Sequence, residues 1–141
     1  MINRKVVVEL MKSGNLAHDQ VHSMLQPFGL TLQQFNVLRI LRGRRGAASC
    51  LESITHRMIQ RMSNTSRLVD RLVAKGLAHR DICVDNRRKV EIFITKKGLD
   101  LLKDIDPVLD TTEEEITSSL SNQEMEQLLQ LLTKLKSKIN T

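Results

Sequence analysis

Ser63 to Lys75 reads SNTSRLVDRLVAK, and the fold turns on how this stretch is placed. Leu68, Val69, Leu72 and Val73 recur at i, i+1, i+4 and i+5, the spacing of a helix that packs one face inward. Arg67, Arg71 and Lys75 then share another face, four residues apart. Ser63, Asn64 and Thr65 stand at the entry, where short oxygen-bearing side chains cap free N–H groups or reach a base edge or phosphate. Small polar groups followed by guanidinium groups suit a helix that enters the major groove, where Arg reads guanine and Asn reads adenine. An amphipathic surface helix with solvated charges has the same pattern, so the neighbouring segments decide.

Gly76 stops the helix, and two extended segments follow, Leu77 to Cys83 and Lys89 to Thr95. Val90, Ile92 and Ile94 alternate with Glu91, Phe93 and Thr95, the period of a half-buried strand. The join is Val84-Asp85-Asn86-Arg87-Arg88, whose Asp and Asn favour a turn that carries the two arginines to the tip of a hairpin. A permanently charged side chain on a projecting ribbon can enter a minor groove, where negative potential is concentrated. Upstream, Cys50 to Met58 predicts a short helix with Leu51, Ile54 and Met58 inward, joined to the next through Ile59 to Met62. Arg57 and Arg61 lie near that joint and are assigned to phosphate contacts.

The run from Leu51 to Gly98 resembles the MarR (multiple antibiotic resistance regulator) family of winged helix-turn-helix regulators. The likeness is carried by RLVDRLVAKGL at Arg67 to Leu77, by Arg80, by DNRR at Asp85 to Arg88 and by ITKKG at Ile94 to Gly98. By resemblance, Arg88 matches the arginine that the family inserts into a groove. The family's aspartate two residues before it is replaced here by Asn86, with Asp85 adjacent, so either one is a candidate to steady Arg88. The resemblance further implies a small, often aromatic or anionic, effector bound between a helical stalk and the DNA-reading head.

Charge agrees with a basic head on an acidic support. The 141 residues carry 22 Lys and Arg against 16 acids, net +6, but between Arg39 and Lys97 there are 15 bases and 5 acids. That segment is therefore +10 and the remainder −4, a segregation that gathers phosphate backbone by counterion release. With only Phe28, Phe35 and Phe93 as aromatics, the core must be aliphatic, and the low count argues against a single-strand binder that stacks bases on aromatic platforms. Cys50 and Cys83 lie in different elements without CxxC spacing, and the chain shows neither a secretory signal nor an apolar run long enough to span a membrane. A reduced, cytoplasmic protein is expected.

The outer segments predict helices. Arg4 to about Gln26 carries Val7, Leu10, Met11, Leu16, Val21, Met24 and Leu25 at helical spacing, with easing expected at Ser13-Gly14 and interruption at Pro27 to Gly29. Thr31-x-x-Gln34 is a capping box opening a helix that buries Phe35, Leu38 and Leu41 and ends by Gly43. The basic loop Arg42 to Gly46 is expected to be a solvated linker. Thr95 caps a long helix that Pro107 should kink or divide. Ser121-x-x-Glu124 is a second capping box, and Met125, Leu128, Leu129, Leu132, Leu135 and Ile139 form a stripe along the last helix.

These readings combine into a mainly α protein with a small β-hairpin wing: a winged helix-turn-helix head at residues 30–98 and a helical dimerisation region from both termini, 1–29 and 99–141. The expected function is sequence-specific recognition of double-stranded DNA by a homodimeric repressor of an inverted-repeat operator, relieved by a small-molecule effector. The alternatives are a non-specific architectural nucleic-acid binder and a winged-helix adaptor for proteins. No catalytic constellation, cofactor motif or membrane partner is expected. His18 and His22 have a two-ligand spacing but lack a third ligand at a matching position, so no metal is assigned. Cys83, beside Arg80, Arg87 and Arg88, is read as a plain strand residue rather than a redox switch.

Overall fold

Three short-range hydrogen-bond pairs set where the helices begin, and each joins residues three apart. Thr31 accepts from the Gln34 amide at 3.1 Å while Gln34 accepts from the Thr31 amide at 3.2 Å, closing the first capping box. Ser121 and Glu124 repeat it at 3.1 and 3.0 Å. Between them, Thr95 accepts from the Gly98 amide at 3.1 Å. The computed structural model describes residues 1–59, 64–82 and 89–139, and the main elements within them are α1 (Ile2–Leu25), α2 (Leu32–Gly43), α3 (Leu51–Arg57), α4 (Thr65–Ala74), β1 (Ala78–Ile82), β2 (Val90–Ile94), α5 (Lys96–Ile116) and α6 (Asn122–Ile139). The fold is a six-helix winged helix-turn-helix architecture with one antiparallel hairpin.

α2 sits at the centre of the core. Its Phe35, Val37, Leu38 and Leu41 are buried together with Leu25 of α1, Ile54 of α3, Val69 and Leu72 of α4, Ile92 of β2 and Leu102 and Ile105 of α5. On α4 the expected inward face is only partly so: Leu68 is half-buried and Val73 keeps 37% of its surface exposed.

The hairpin is fixed at its base. After α4, Gly76 takes a left-handed φ of 75°, which lets its amide reach Val73 and the Leu77 amide reach Leu72, both at 2.9 Å. β1 and β2 then pair from Ala78↔Ile94 to Ile82↔Val90. On the far edge of β2, Ser49 exchanges two main-chain bonds with Ile92, at 2.8 and 2.9 Å, so the segment before α3 is a one-residue third strand. Gly98 closes the corner. A Cβ there would lie 2.4 Å from the Leu77 carbonyl oxygen and 2.8 Å from Ile94 Cγ1, so only glycine lets α5 approach the hairpin this closely.

Several expectations are corrected. α1 runs through Ser13-Gly14 as one helix, and α5 continues through Pro107 undivided. Pro107 lies on an exposed face, so the carbonyl it deprives of a donor, that of exposed Lys103, is left to water rather than buried unpaired. Arg42 is not part of a solvated linker: its guanidinium grips Asp106 of α5 at 2.8 and 3.1 Å, a two-pronged tie between the end of α2 and the middle of α5.

The two ends of the chain expose apolar surface. α6 has no buried residue; Leu129 and Leu131 are each 64% exposed, and on α1 Met11 is 67% exposed. Among the described residues no helix is long and apolar enough to cross a membrane.

Candidate nucleic-acid interface

α4 presents its basic face to solvent because its apolar face is taken by α2 and α3. Asn64 caps it, accepting from the Arg67 amide at 3.2 Å, and is itself exposed. Arg67 and Arg71 follow one turn apart, both exposed. They border an open cleft of about 240 Å³ together with Asn64, Leu68 and the first turn of α2, Thr31, Gln33 and Gln34. Two guanidinium groups facing the positive end of a twelve-residue helix form a pocket for negative charge of about phosphate size. Sequence singled out Thr31 only as a helix cap and Gln33 not at all, since α2 contributes to this cleft only through the tertiary fold.

Thr65 departs from the expectation that it faces DNA. It is 5% exposed, and its hydroxyl lies 2.6 Å from that of Thr55 on α3. Thr55 donates its own proton to the Leu51 carbonyl at 2.9 Å, so Thr65 is the donor in the pair. Its one proton is spent on clasping the two helices of the motif. Lys75 is also redirected: its ammonium bonds the Gly29 carbonyl and, at 3.3 Å, Gln34 Oε1, so it ties α4 to the α1–α2 corner rather than extending the row of Arg67 and Arg71.

Arg57 is exposed at the end of α3. Arg80 of β1 pairs with Asp70 of α4 at 2.5 Å, fastening the hairpin to α4. Next to it His79 bonds Asp81 at 2.9 Å and packs its ring 5.7 Å from that of Phe93. Arg61 and Ser63 near the helix-turn-helix joint, and Cys83, Asp85, Asn86, Arg87 and Arg88 at the wing tip, lie outside the described residues.

A second concavity, half open and of about 400 Å³, lies between α1, α2 and α5, lined among others by His18, Leu32, Phe35, Asn36, Arg39 and Glu113. Arg39, which lines this concavity, holds its guanidinium 5.5 Å over the Phe35 ring. His18 and His22 stack with ring centroids 6.1 Å apart. Among the described residues no group of three His, Cys, Asp or Glu side chains could hold a metal ion.

Comparison with known proteins points the same way. Residues 30–90 match the model of the MarR family. Along nearly its whole length the chain superposes on a MarR-like transcription regulator of Bacillus cereus, with a TM-score of 0.87, 20% identity and 98% of each chain covered. A mutant MarR of E. coli, complexed with operator DNA, gives 0.84 at 22% identity over 93% of each chain. Bordetella bronchiseptica BpsR, whose DNA binding is regulated by 6-hydroxynicotinic acid, gives 0.84 at 22% identity, covering 94% of this chain and 98% of that one. At these identities the likeness of the solved structures is one of fold: residues 30–90 match the MarR family model, and along nearly its whole length the chain shares the fold of these MarR-like proteins.

Proposed function

We propose that the protein is a homodimeric, sequence-specific DNA-binding repressor of an approximate inverted repeat, released by a small-molecule effector. The observation that carries this reading is the cleft where exposed Arg67 and Arg71 of α4 face the first turn of α2. A phosphate seated there fixes the register of α4 on the duplex, leaving Asn64, Arg67 and Arg71, with Ser63 at the entry, to meet base edges in the major groove. Arg57 and Arg61 add backbone contacts. Arg88, with Arg87, enters the flanking minor groove, steadied by Asp85 or Asn86. Binding of operator DNA by a protein of the same fold favours this mode over a protein-only adaptor.

Residues 30–98 form the reading head and residues 1–29 with 99–141 the dimerisation region. Support comes from the apolar side chains of α1 and α6 that the described residues leave mostly uncovered, such as Met11 and Leu129. Two heads on a two-fold axis meet successive major grooves about 34–36 Å apart. The effector occupies the 400 Å³ cavity between α1, α2 and α5, where it touches both regions and biases their relative tilt. Regulation of a similarly folded protein by 6-hydroxynicotinic acid is consistent with an effector of that size.

Selection of bound duplexes from a random library tests the reading. Recovery of a palindromic consensus, together with a protein mass of two chains per duplex, is expected. Enrichment of no consensus, or binding by a single chain, refutes it.

A further inference from the structure

Asn36 is an anomaly of the core. It is 8% exposed, yet among the described residues nothing hydrogen-bonds its side-chain amide. Unlike Arg44 Nε and Ser49 Oγ, its amide atoms are not among the fully sealed unpaired groups, so the amide keeps access to open space where a partner can reach it. What exposure it keeps opens onto two connected spaces, the cavity between α1, α2 and α5 and the adjoining 260 Å³ cleft bounded by Arg39, Ile40, Arg57 and Ile59. Asn36 therefore offers its donors and acceptor to whatever fills the cavity.

The surrounding wall says what that is. Arg39, one helical turn beyond Asn36, has no carboxylate partner among the described residues and supplies one positive charge. Glu113 lines the same cavity and disfavours a second negative charge on an occupant. Phe35, Leu32 and Val21 are apolar, and Gly14 faces open space, since a Cβ on it meets nothing within 4 Å. Glycine inside a helix weakens it, and here the missing side chain enlarges the cavity.

We propose that Asn36 is the specificity-determining residue of this cavity, selecting monoanions that carry an amide-like edge, a carboxamide or lactam, over hydrocarbon-edged monoanions of the same shape. The carboxylate pairs with Arg39 and the amide edge with Asn36, donor to acceptor and acceptor to donor. A hydrocarbon edge leaves Asn36 unpaired, which is how buried polar groups reject isosteres. The proposal rests on the effector reading of the cavity given above.

Isothermal titration calorimetry tests it, because a chain without Trp or Tyr has no useful intrinsic fluorescence. The probes are para-carbamoylbenzoate and para-isopropylbenzoate, which share a carboxylate and a shape. The full-length parent is expected to bind the first about 10- to 100-fold more tightly. Asn36→Leu should abolish or reverse that preference with its helical circular dichroism and melting temperature retained. Gly14→Leu should lose both ligands by filling the cavity. Equal binding of both probes by the parent, or a preference that survives Asn36→Leu, overturns the role of Asn36 while the cavity reading stands on Gly14→Leu. Failure of both probes to bind the parent overturns the cavity reading and this one with it.

Discussion

Replacing Gly98 with Ala sets two effects of opposite sign against each other. Alanine is the better helix former, which favours the variant by up to about 1 kcal/mol. Against this, the new Cβ would sit 2.4 Å from the Leu77 carbonyl oxygen and 2.8 Å from Ile94 Cγ1. Relief requires a separation of roughly an ångström. The oxygen cannot simply retreat, because it accepts the Thr95 amide at 3.1 Å and so holds the last rung of the hairpin. Overpacking against backbone costs about 1–3 kcal/mol, and the net loss should be about 1–2 kcal/mol. For a chain of this size that lowers the melting temperature by about 3–8 °C at fixed protein concentration. Gly14→Ala is the matched control: its Cβ meets nothing within 4 Å, so propensity acts alone and the melting temperature should rise. Thermal unfolding followed at 222 nm reads both variants. A Gly98→Ala protein that melts at or above the parent would refute the steric account of the α5–hairpin corner.

Other consequences can be measured separately. Thr55→Val should cost about 1–2 kcal/mol by stranding the buried Thr65 hydroxyl, and Thr55→Val with Thr65→Val together should cost less than the sum of the single changes; additive losses in urea denaturation count against the clasp. Glu124 has its carboxyl pKa lowered by the hydrogen bonds from the Ser121 main chain and side chain. Because the folded value lies below the unfolded one, this cap contributes above the ordinary glutamate range and is lost as pH falls through the folded pKa. Its side-chain carbon should titrate low by NMR and return to the ordinary range in Ser121→Ala; a parent midpoint at or above that range contradicts the cap. In anisotropy titrations, Arg71→Ala should weaken operator binding by about 1–3 kcal/mol and relax sequence preference, and Arg88→Ala should weaken it comparably with fold and dimer intact. Unchanged affinity in Arg88→Ala removes the wing from the interface.

What could be read from sequence was local. Thr31 with Gln34, Thr95 with Gly98, and Ser121 with Glu124 were legible because donor and acceptor are three residues apart. The strand period around Ile92 and the apolar stripe of α4 were legible for the same reason. Contacts between distant residues were not. Arg42 and Asp106 are 64 positions apart, so Arg42 looked like one more loop cation. Lys75 matched the spacing of Arg67 and Arg71, but its ammonium is claimed by Gly29 and Gln34. Thr65 fitted the composition of a helix entry, and only the approach of α3 reveals that it is enclosed. Pro107 was expected to disrupt α5 because sequence alone does not say that it and Lys103, whose carbonyl loses its donor, lie on the exposed side of the helix. The role of Gly98 needed both: the motif located it, and the proximity of Leu77 explains it.

The two bonds between Ser49 and Ile92 have a mechanical corollary. They splice the approach to α3 onto the central strand, while Arg80 and Asp70 rivet the other strand to α4. With Thr55 bonded to Thr65, the helices α3 and α4 and the hairpin thereby close a ring of contacts in which a load on any one is shared by the other two, and Arg42 with Asp106 ties the neighbouring α2 to α5.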